Sequence, residues 1–379
     1  MRSVPASEAG SPSVWALVAL PPPVTGLTLL TEKVVQRIQA EYDIRCYDWS
    51  PKNMPRGWRF RLIRGWRVIR SMGKLLAAGR AQHRRLYIAA NSKAGLWLTM
   101  LLAGLGRCLG HEVFLHHHSY RYIDRFDRRM KWICWLLAER GVHVVACERM
   151  EQDFRRVYPA ATGFAFVNPS LVSGPVGTPR TAIGRPFTVG HLGNLSAAKG
   201  IDIVLETFRA LHRRRGDIRL KLGGPFFPGE ARDLVTRALA DFPGTVEWSG
   251  PLYGDDKCRF FEQIDCFLFP TRSESWGIVL NEAMAAGVPV IASDRGCIRT
   301  VVADRAGLVV GRDEDFSHRA AEQVLRWIDN PAEYAASSKA ACQQALNLQR
   351  EADQALEQFV DQLFARRVPQ EAVAASSPL

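Results

Sequence analysis

Residues 271–293 read TRSESWGIVLNEAMAAGVPVIAS. A turn, Thr271 to Ser275, opens on a helix-like run, and Gly287-Val288-Pro289 closes it before a short apolar strand. Two carboxylates, Glu274 and Glu282, stand eight positions apart in this otherwise apolar stretch. From Ser275 to Glu282 is about two turns of helix. One carboxylate therefore borders the helix start and the other lies deeper along the same side. A glutamate beside Ile278, Leu280 and Met284 needs a polar partner if it is buried, and a sugar or ribose hydroxyl would serve. The plainer reading is a capping carboxylate and a solvent-facing helix residue.

The rest of the chain decides between these. Strand, helix and strand alternate from Trp15 to Val167, and the pattern restarts at Phe187. Between them, residues 168–187 are rich in Pro, Gly, Ser and Thr, as expected of a linker. The chain has 379 residues, long for one core and suited to two. The expected fold is α/β, with two doubly wound, Rossmann-like parallel-sheet domains facing across a cleft. The expected boundaries are a flexible 1–13, domains at 14–175 and 176–350, a helix at 351–368 returning to the first domain, and a flexible tail at 369–379.

In such sheets ligands bind beyond the carboxyl ends of the strands. The turns after His191, Leu222, Trp248 and Phe269 are the ones to inspect. In GHLGNLSAAKGIDIVLETF (190–208), Gly193 allows close backbone approach, and Lys199 stands at a helix start, where a cation and free amides can meet phosphate. A tight turn with a surface lysine is the alternative there. Gly223 and Gly224 either make room for a nucleotide or form a turn. The amides of Trp276, Gly277 and Ile278 would point into the same cleft as Glu274 and Glu282. Convergence of these turns favours a binding site over mere capping. A phosphate-binding GxxxxGK[ST] loop is absent.

Charge is uneven. Residues 1–180 carry 27 basic and 12 acidic residues, residues 181–379 carry 23 and 26, and the whole chain is at +12. Residues 49–111 hold thirteen basic residues and no acidic one. Within 56–74, Arg56, Arg59, Arg61, Arg64, Arg67, Arg70 and Lys74 interleave with Trp58, Phe60, Ile63, Trp66 and Ile69. This reads as an amphipathic helix. It either packs its apolar side on a sheet, or meets an anionic membrane surface or nucleic acid. No apolar run reaches membrane-spanning length, and the N-terminus does not read as a signal peptide, because Glu8 precedes a short apolar part and three prolines follow. Eight cysteines without a CxxC pair predict reduced thiols and hence a cytosolic chain. His83, His111 and His143 lack metal-ligand spacing. Three adjacent histidines, His116, His117 and His118, could form a metal tract, but neighbours on one strand do not converge on one ion.

The block SESWGIVLNEAMAAGVPVIASDRGCIRTVV (273–302), followed by AGLVV (306–310), closely resembles the donor-binding signature of retaining glycosyltransferases of the family-four type, in the two-domain GT-B class. The resemblance spans residues 187–311 most strongly. It implies sugar transfer from a nucleotide sugar of UDP or GDP type, with no metal ion and no cofactor. It also assigns roles. Lys199 would hold the donor diphosphate with Gly193, Asn194 and the amides at Gly277 and Ile278; Glu282 would bind the ribose; Glu274 would contact the transferred sugar. Where Asn194 stands the family usually has an arginine, and Arg295 and Arg299 are the candidates to supply its charge. In the first domain, PPPVTGLTLLTEKVV (21–35) matches the family's glycine-bearing loop, so Gly26 would approach phosphate or acceptor. EVFLHHHSYRYIDR (112–125) matches the strand whose histidine bonds the sugar, and His118, nearest the loop, is expected to serve, with His117 next.

The cationic first domain predicts a lipid-linked or anionic glycan acceptor, with the chain cytoplasmic or peripheral on the inner membrane face and no nucleic acid bound. Catalytic roles then fall to Lys199, Glu274 and His118. The competing readings are a degenerate GT-B protein that only binds partners, and a phosphorylase of similar fold. A glycoside hydrolase fits less well, because a lysine stands beside the carboxylates.

Overall fold

The computed structural model describes residues 14–22, 24–52, 57–77, 85–227 and 229–364. The expectations for residues 1–13 and 365–379, for Arg56 and for His83 lie outside the described residues. The first half runs β1 (Val14–Val18), α1 (Gly26–Gln39), β2 (Ile44–Asp48), α2 (Trp58–Ala77), β3 (Arg85–Ala89), α3 (Leu96–Cys108), β4 (Glu112–His116), α4 (Arg121–Asp124), α5 (Arg128–Leu137), β5 (Gly141–Val145), α6 (Glu148–Val157) and β6 (Gly163–Phe166). The second runs β7 (Thr188–Leu192), α7 (Ile201–Arg214), β8 (Arg219–Gly223), α8 (Ala231–Asp241), β9 (Val246–Trp248), α9 (Asp255–Glu262), β10 (Cys266–Phe269), α10 (Ile278–Ala285), β11 (Val290–Ser293), α11 (Ile298–Val301), β12 (Gly307–Val310), α12 (Phe316–Asp329) and α13 (Pro331–Phe364).

The strands form two six-stranded sheets, parallel throughout, ordered β2-β1-β3-β4-β5-β6 and β12-β11-β10-β7-β8-β9. The strands β1, β5 and β10 are short and wholly buried, as a sheet covered on both faces requires, while the edge strands β2, β9 and β12 are more open. Side-chain alternation divides the first sheet between two helical layers. Trp15, Leu17, Leu86, Ile88, Val113 and Leu115 point to the layer of α2, α3 and α5. Val14, Ala16, Val18, Tyr87, Phe114 and Val144 point to α1 and to the end of α13.

Helix α13 is unbroken over 34 residues. Its start packs in the second domain, where Tyr334 Oη donates to the Asp265 carbonyl at 3.0 Å and Ser338 bonds Gly287 O at 2.6 Å. Its end, with Leu356, Phe359, Val360 and Leu363, enters the core of the first domain. The segment expected to link the domains starts with Asn168, whose side chain caps a short turn, Pro169–Val172, by accepting from Ser170 N at 2.9 Å.

One expectation is overturned. Cys147 and Cys297, 150 positions apart, are joined as a disulfide rather than standing as two reduced thiols. Cys147 caps α6 and Cys297 caps α11, so the bond joins the domains. Their pairing arises from how the two sheets dock, which local spacing does not encode. With it goes the argument from cysteine usage for a cytosolic chain. Arg149 and Asp294 pair at 2.7 Å beside this bond.

Candidate donor-binding cleft

In the second sheet the chain order reverses between β7 and β10, and there a crevice opens at the strands' carboxyl ends. The loops after these two strands carry Gly193, Asn194 and Lys199 on one side, and Glu274 on the other. Together with the first domain's loops they enclose a cleft of about 650 Å³. That volume suits a nucleotide-sized ligand.

Lys199 is placed by a short turn, Ala197–Lys199, which ends at Gly200 in the left-handed region (φ +75°). A Cβ at Gly200 would fall 2.1 Å from the Pro270 carbonyl oxygen, so this close approach of the two loops requires glycine. Lys199 Nζ donates to Glu274 Oε2 at 2.7 Å and lies 5.7 Å from the centre of the Phe269 ring. Glu274 Oε1 accepts from Ser275 N at 2.9 Å. Gly277, at φ +81°, turns the chain into α10, so the amides of the first turn of α10 open on the cleft beside Glu274. Ile278 lines the same wall, and Trp276 Nε1 is buried without a protein partner.

Glu282, one turn further along α10, also borders the cleft. Its Oε1 accepts from Lys257 Nζ at 2.6 Å. Lys257 was not anticipated. It stands in the first turn of α9, just beyond the third of the four strand-end turns, the one after β9. The partner foreseen for Glu282 was a ligand hydroxyl; the protein itself supplies an ammonium. Neither Arg295 nor Arg299, considered as substitutes for the charge missing at Asn194, lines the cleft. Arg299 pairs with Asp294 at 3.0 Å. Asn194 does line it. Gly224 lines it too, but its φ of +114° and a Cβ position 1.9 Å from Gly193 O make it a structural turn glycine.

The opposite wall belongs to the first domain. Thr25 caps α1 through its side chain, which sets Gly26 at the helix start facing α10. A Cβ there would lie 2.7 Å from Ile278 Cδ1. The three histidines separate by their partners. His116 Nδ1 bonds Tyr87 Oη at 2.5 Å. His117 bonds Tyr122 Oη at 2.8 Å and His143 Nδ1 at 2.9 Å. His118 Nε2 is buried in the cleft wall with no protein partner. Burial lowers the His118 pKa to about 3, so its imidazole is neutral near pH 7 and can donate or accept one hydrogen bond. Ser275 Oγ donates to His118 O at 3.3 Å, which ties the two walls together. Among the described residues no group of three or more His, Cys, Asp or Glu could hold a metal ion.

Comparison with known proteins bears on the family and the fold. Residues 186–330 match the family described as glycosyl transferases group 1. The chain is 35% identical over 174 residues to the D-inositol 3-phosphate glycosyltransferase of Mycobacterium marinum, a match covering 44% of this chain and 36% of that one. The chain thus spans little more than a third of that relative's length. In structure it resembles sucrose-phosphate synthase from Thermosynechococcus elongatus, with TM-score 0.68, 17% identity, and 93% of this chain and 99% of that one covered. It also resembles Anabaena HepE, solved with UDP and glucose, with TM-score 0.64, 16% identity, and coverage of 92% and 100%. Residues 186–330 are therefore a group 1 glycosyltransferase domain, carried on a chain of GT-B fold.

Proposed function

We propose that this chain is a retaining, metal-independent glycosyltransferase that moves a hexosyl group from a UDP- or GDP-sugar to a lipid-linked or anionic glycan acceptor, in glycan synthesis at the cytoplasmic face of a membrane. The observation that carries the reading is the convergence of Lys199, Glu274, Glu282 and the first turn of α10 on one cleft, opposite Gly26 and His118. The relatives' names and the UDP bound in HepE support the donor class.

Departure of a nucleoside diphosphate builds negative charge on its phosphate oxygens. Lys199 and the α10 amides stand where that charge would develop, and a closed cleft strengthens them. Lys199 is held by Glu274 in the free protein. When phosphate takes the ammonium, the Glu274 carboxylate is released towards the sugar hydroxyls. Glu282 accepts from the ribose, and Lys257 holds it in place from the other side. His118, neutral and unpartnered, bonds a sugar hydroxyl. Glu274 is ion-paired and takes no nucleophilic role in this scheme, in which acceptor attack and leaving-group departure share one face.

A second reading rests on Asn194: a binding module that has lost transfer activity. Thermal shift with UDP, GDP and ADP, with and without magnesium, tests the donor site. A nucleotide at about a hundredfold excess over its Kd stabilises by about 2.7 kcal/mol. The transferase reading expects a magnesium-independent shift with UDP or GDP that disappears in Glu282→Ala, and slow hydrolysis of the matching nucleotide sugar. A shift without any hydrolysis or transfer supports the binding module. No shift with any nucleotide, for folded protein, overturns the transferase reading and leaves the binding module.

A further inference from the structure

Helix α2 has two apolar faces. Val68 and Leu75 point into the core, while Trp58, Leu62, Trp66, Ile69 and Leu76 form a stripe on the opposite, solvent side. Spacings of three and four residues keep that stripe on one line. The same pattern recurs on the two helices that share its layer. In α3, Leu96, Leu102 and Ala103 are buried, and Trp97 and Leu101 are exposed. In α5, Met130, Ile133 and Leu137 are buried, and Trp132 and Trp135 are exposed. Of the thirteen large apolar side chains exposed among the described residues, nine lie on these three helices, each 51–68% exposed. They are not scattered singly, as ordinary exposed apolar residues are.

The charge on this layer is predominantly positive, with Asp127 at the start of α5 pairing Arg129 at 2.6 Å. The sequences of α2, α3 and α5 contain no Asp or Glu. Arginines lie over the exposed tryptophans: Arg59 is 5.4 Å from the Trp58 ring, Arg70 is 5.5 Å from Trp66, and Arg129 of α5 is 5.9 Å from Trp97 of α3. The last contact bridges two helices, and Trp132 meets Trp135 edge-on at 5.8 Å.

We propose that the outer faces of α2, α3 and α5 together form a docking surface for an anionic lipid bilayer. Tryptophan is the side chain that sits best at a membrane interface, with ring in the acyl boundary and N–H towards water. Arginine and lysine between the rings meet lipid phosphates. A nucleic acid would use the cations but gives Leu62, Ile69 and Leu101 nothing to bury against. A protein interface of this size would be expected to hold acidic residues as well. No helix among the described residues is long and apolar enough to cross a membrane, so the contact is lateral. Helices α2 and α3 follow β2 and β3, so Trp58 and Trp97 lie at the carboxyl edge of the sheet, the edge that faces the cleft. An acceptor anchored in the bilayer would thereby meet the cleft mouth. This extends the membrane contact expected of residues 56–74 to two further helices, and it stands whether or not the chain transfers sugar.

The test is flotation of the full chain with vesicles of phosphatidylcholine alone, or with about one third phosphatidylglycerol. The informative variant is Trp132→Ser with Trp135→Ser, which leaves α2 intact and touches no cleft residue. The expected result is binding to the anionic vesicles only, weakened by salt, and lowered about tenfold or more in the double variant. The nucleotide thermal shift should be the same in both proteins, which separates loss of docking from misfolding. Absence of vesicle binding overturns the proposal. So does a double variant that binds like the parent, since the face would then not extend to α5. A parent dimer in solution that the double variant breaks, or RNA binding stronger than vesicle binding, would assign the face to another occupant.

Discussion

The two domains share one architecture and place their charge in opposite ways. Around the second domain's cleft, cations and carboxylates come in matched pairs, Lys199 with Glu274 and Lys257 with Glu282, all half-buried in the loops and helices that follow the strands. On the helical layer of the first domain, arginines and lysines face outward with no acid on the same helices. Paired charges in a cleft are poised to exchange partners for a ligand with both phosphate and hydroxyl groups. An excess of cations spread over a wide face suits a partner that is itself a charged surface. Fold alone dictates neither; what differs is which loops and helix faces carry the chemistry.

The sharpest way to break this comparison is Lys199→Ala. It removes the cation from the donor side and leaves Glu274 without its partner. Transfer is expected to fall by a factor of about 10²–10³ in kcat, or about 3–4 kcal/mol. A variant of near-parental kcat would mean that Lys199 is only a structural pair for Glu274.

How much of this was legible in the sequence differs between the domains for the same reason. Within the second domain, function lies at strand ends, and strand ends can be read from apolar runs broken by glycine. Lys199, Glu274, Glu282 and Gly193 stand out there, Asn194 enters only through the family resemblance, and all five line the cleft. Lys257 is not marked by such a break, because in LYGDDKCRF it follows two aspartates inside the first turn of α9. In the first domain the cationic segment was visible, but whether its apolar residues face in or out was not. Helix α2 does both, and the matching stripes on α3 and α5 are only two residues each, too short to stand out by period. The disulfide was illegible because it depends on docking between domains.

That docking is the next test. The Cys147–Cys297 bond closes a loop of 150 residues across the domain interface. Cys147→Ser is expected to lower stability by about 2–4 kcal/mol without reductant, and to change little once both proteins are reduced. Denaturant titration with and without dithiothreitol reads both arms. Equal loss in the two conditions would show that packing of the Cys147 side chain, rather than the bond, matters.

Acid should reveal the buried histidines, which belong to both domains. Burial lowers His143 and His118 to about 3 and His191 to about 4, while His116 and His117 also lie well below the usual value. The unfolded chain binds protons at these sites below about pH 6.5, and the folded chain does not. Stability is therefore full above about pH 6.5 and declines as pH falls, by up to about 1.4 kcal/mol per pH unit for each such histidine. Denaturation midpoints between pH 7 and 5 should fall accordingly. A flat profile would show that these imidazoles take up protons in the folded state. The network His117–His143 makes the first domain the more acid-sensitive of the two, so an early loss of first-domain signals sharpens the contrast.

The smallest effect is expected at Gly26, which faces Ile278 of α10 across the cleft. Its φ is not in the left-handed region, so alanine is allowed by the backbone. The added Cβ would meet only Ile278 Cδ1, the end of a flexible side chain, at 2.7 Å. A rotamer change can relieve that contact, so stability should change by less than about 1 kcal/mol. Ile278 is, however, the first residue of α10, whose amides face the cleft. Gly26→Ala should therefore act on nucleotide affinity more than on stability, whereas Gly26→Ala with Ile278→Val, which removes the clashing methyl, should restore it. If the single variant binds nucleotide as the parent does, the first domain's loop contributes no close contact to the donor site, and the cleft's chemistry is the work of the second domain with His118 alone reaching across.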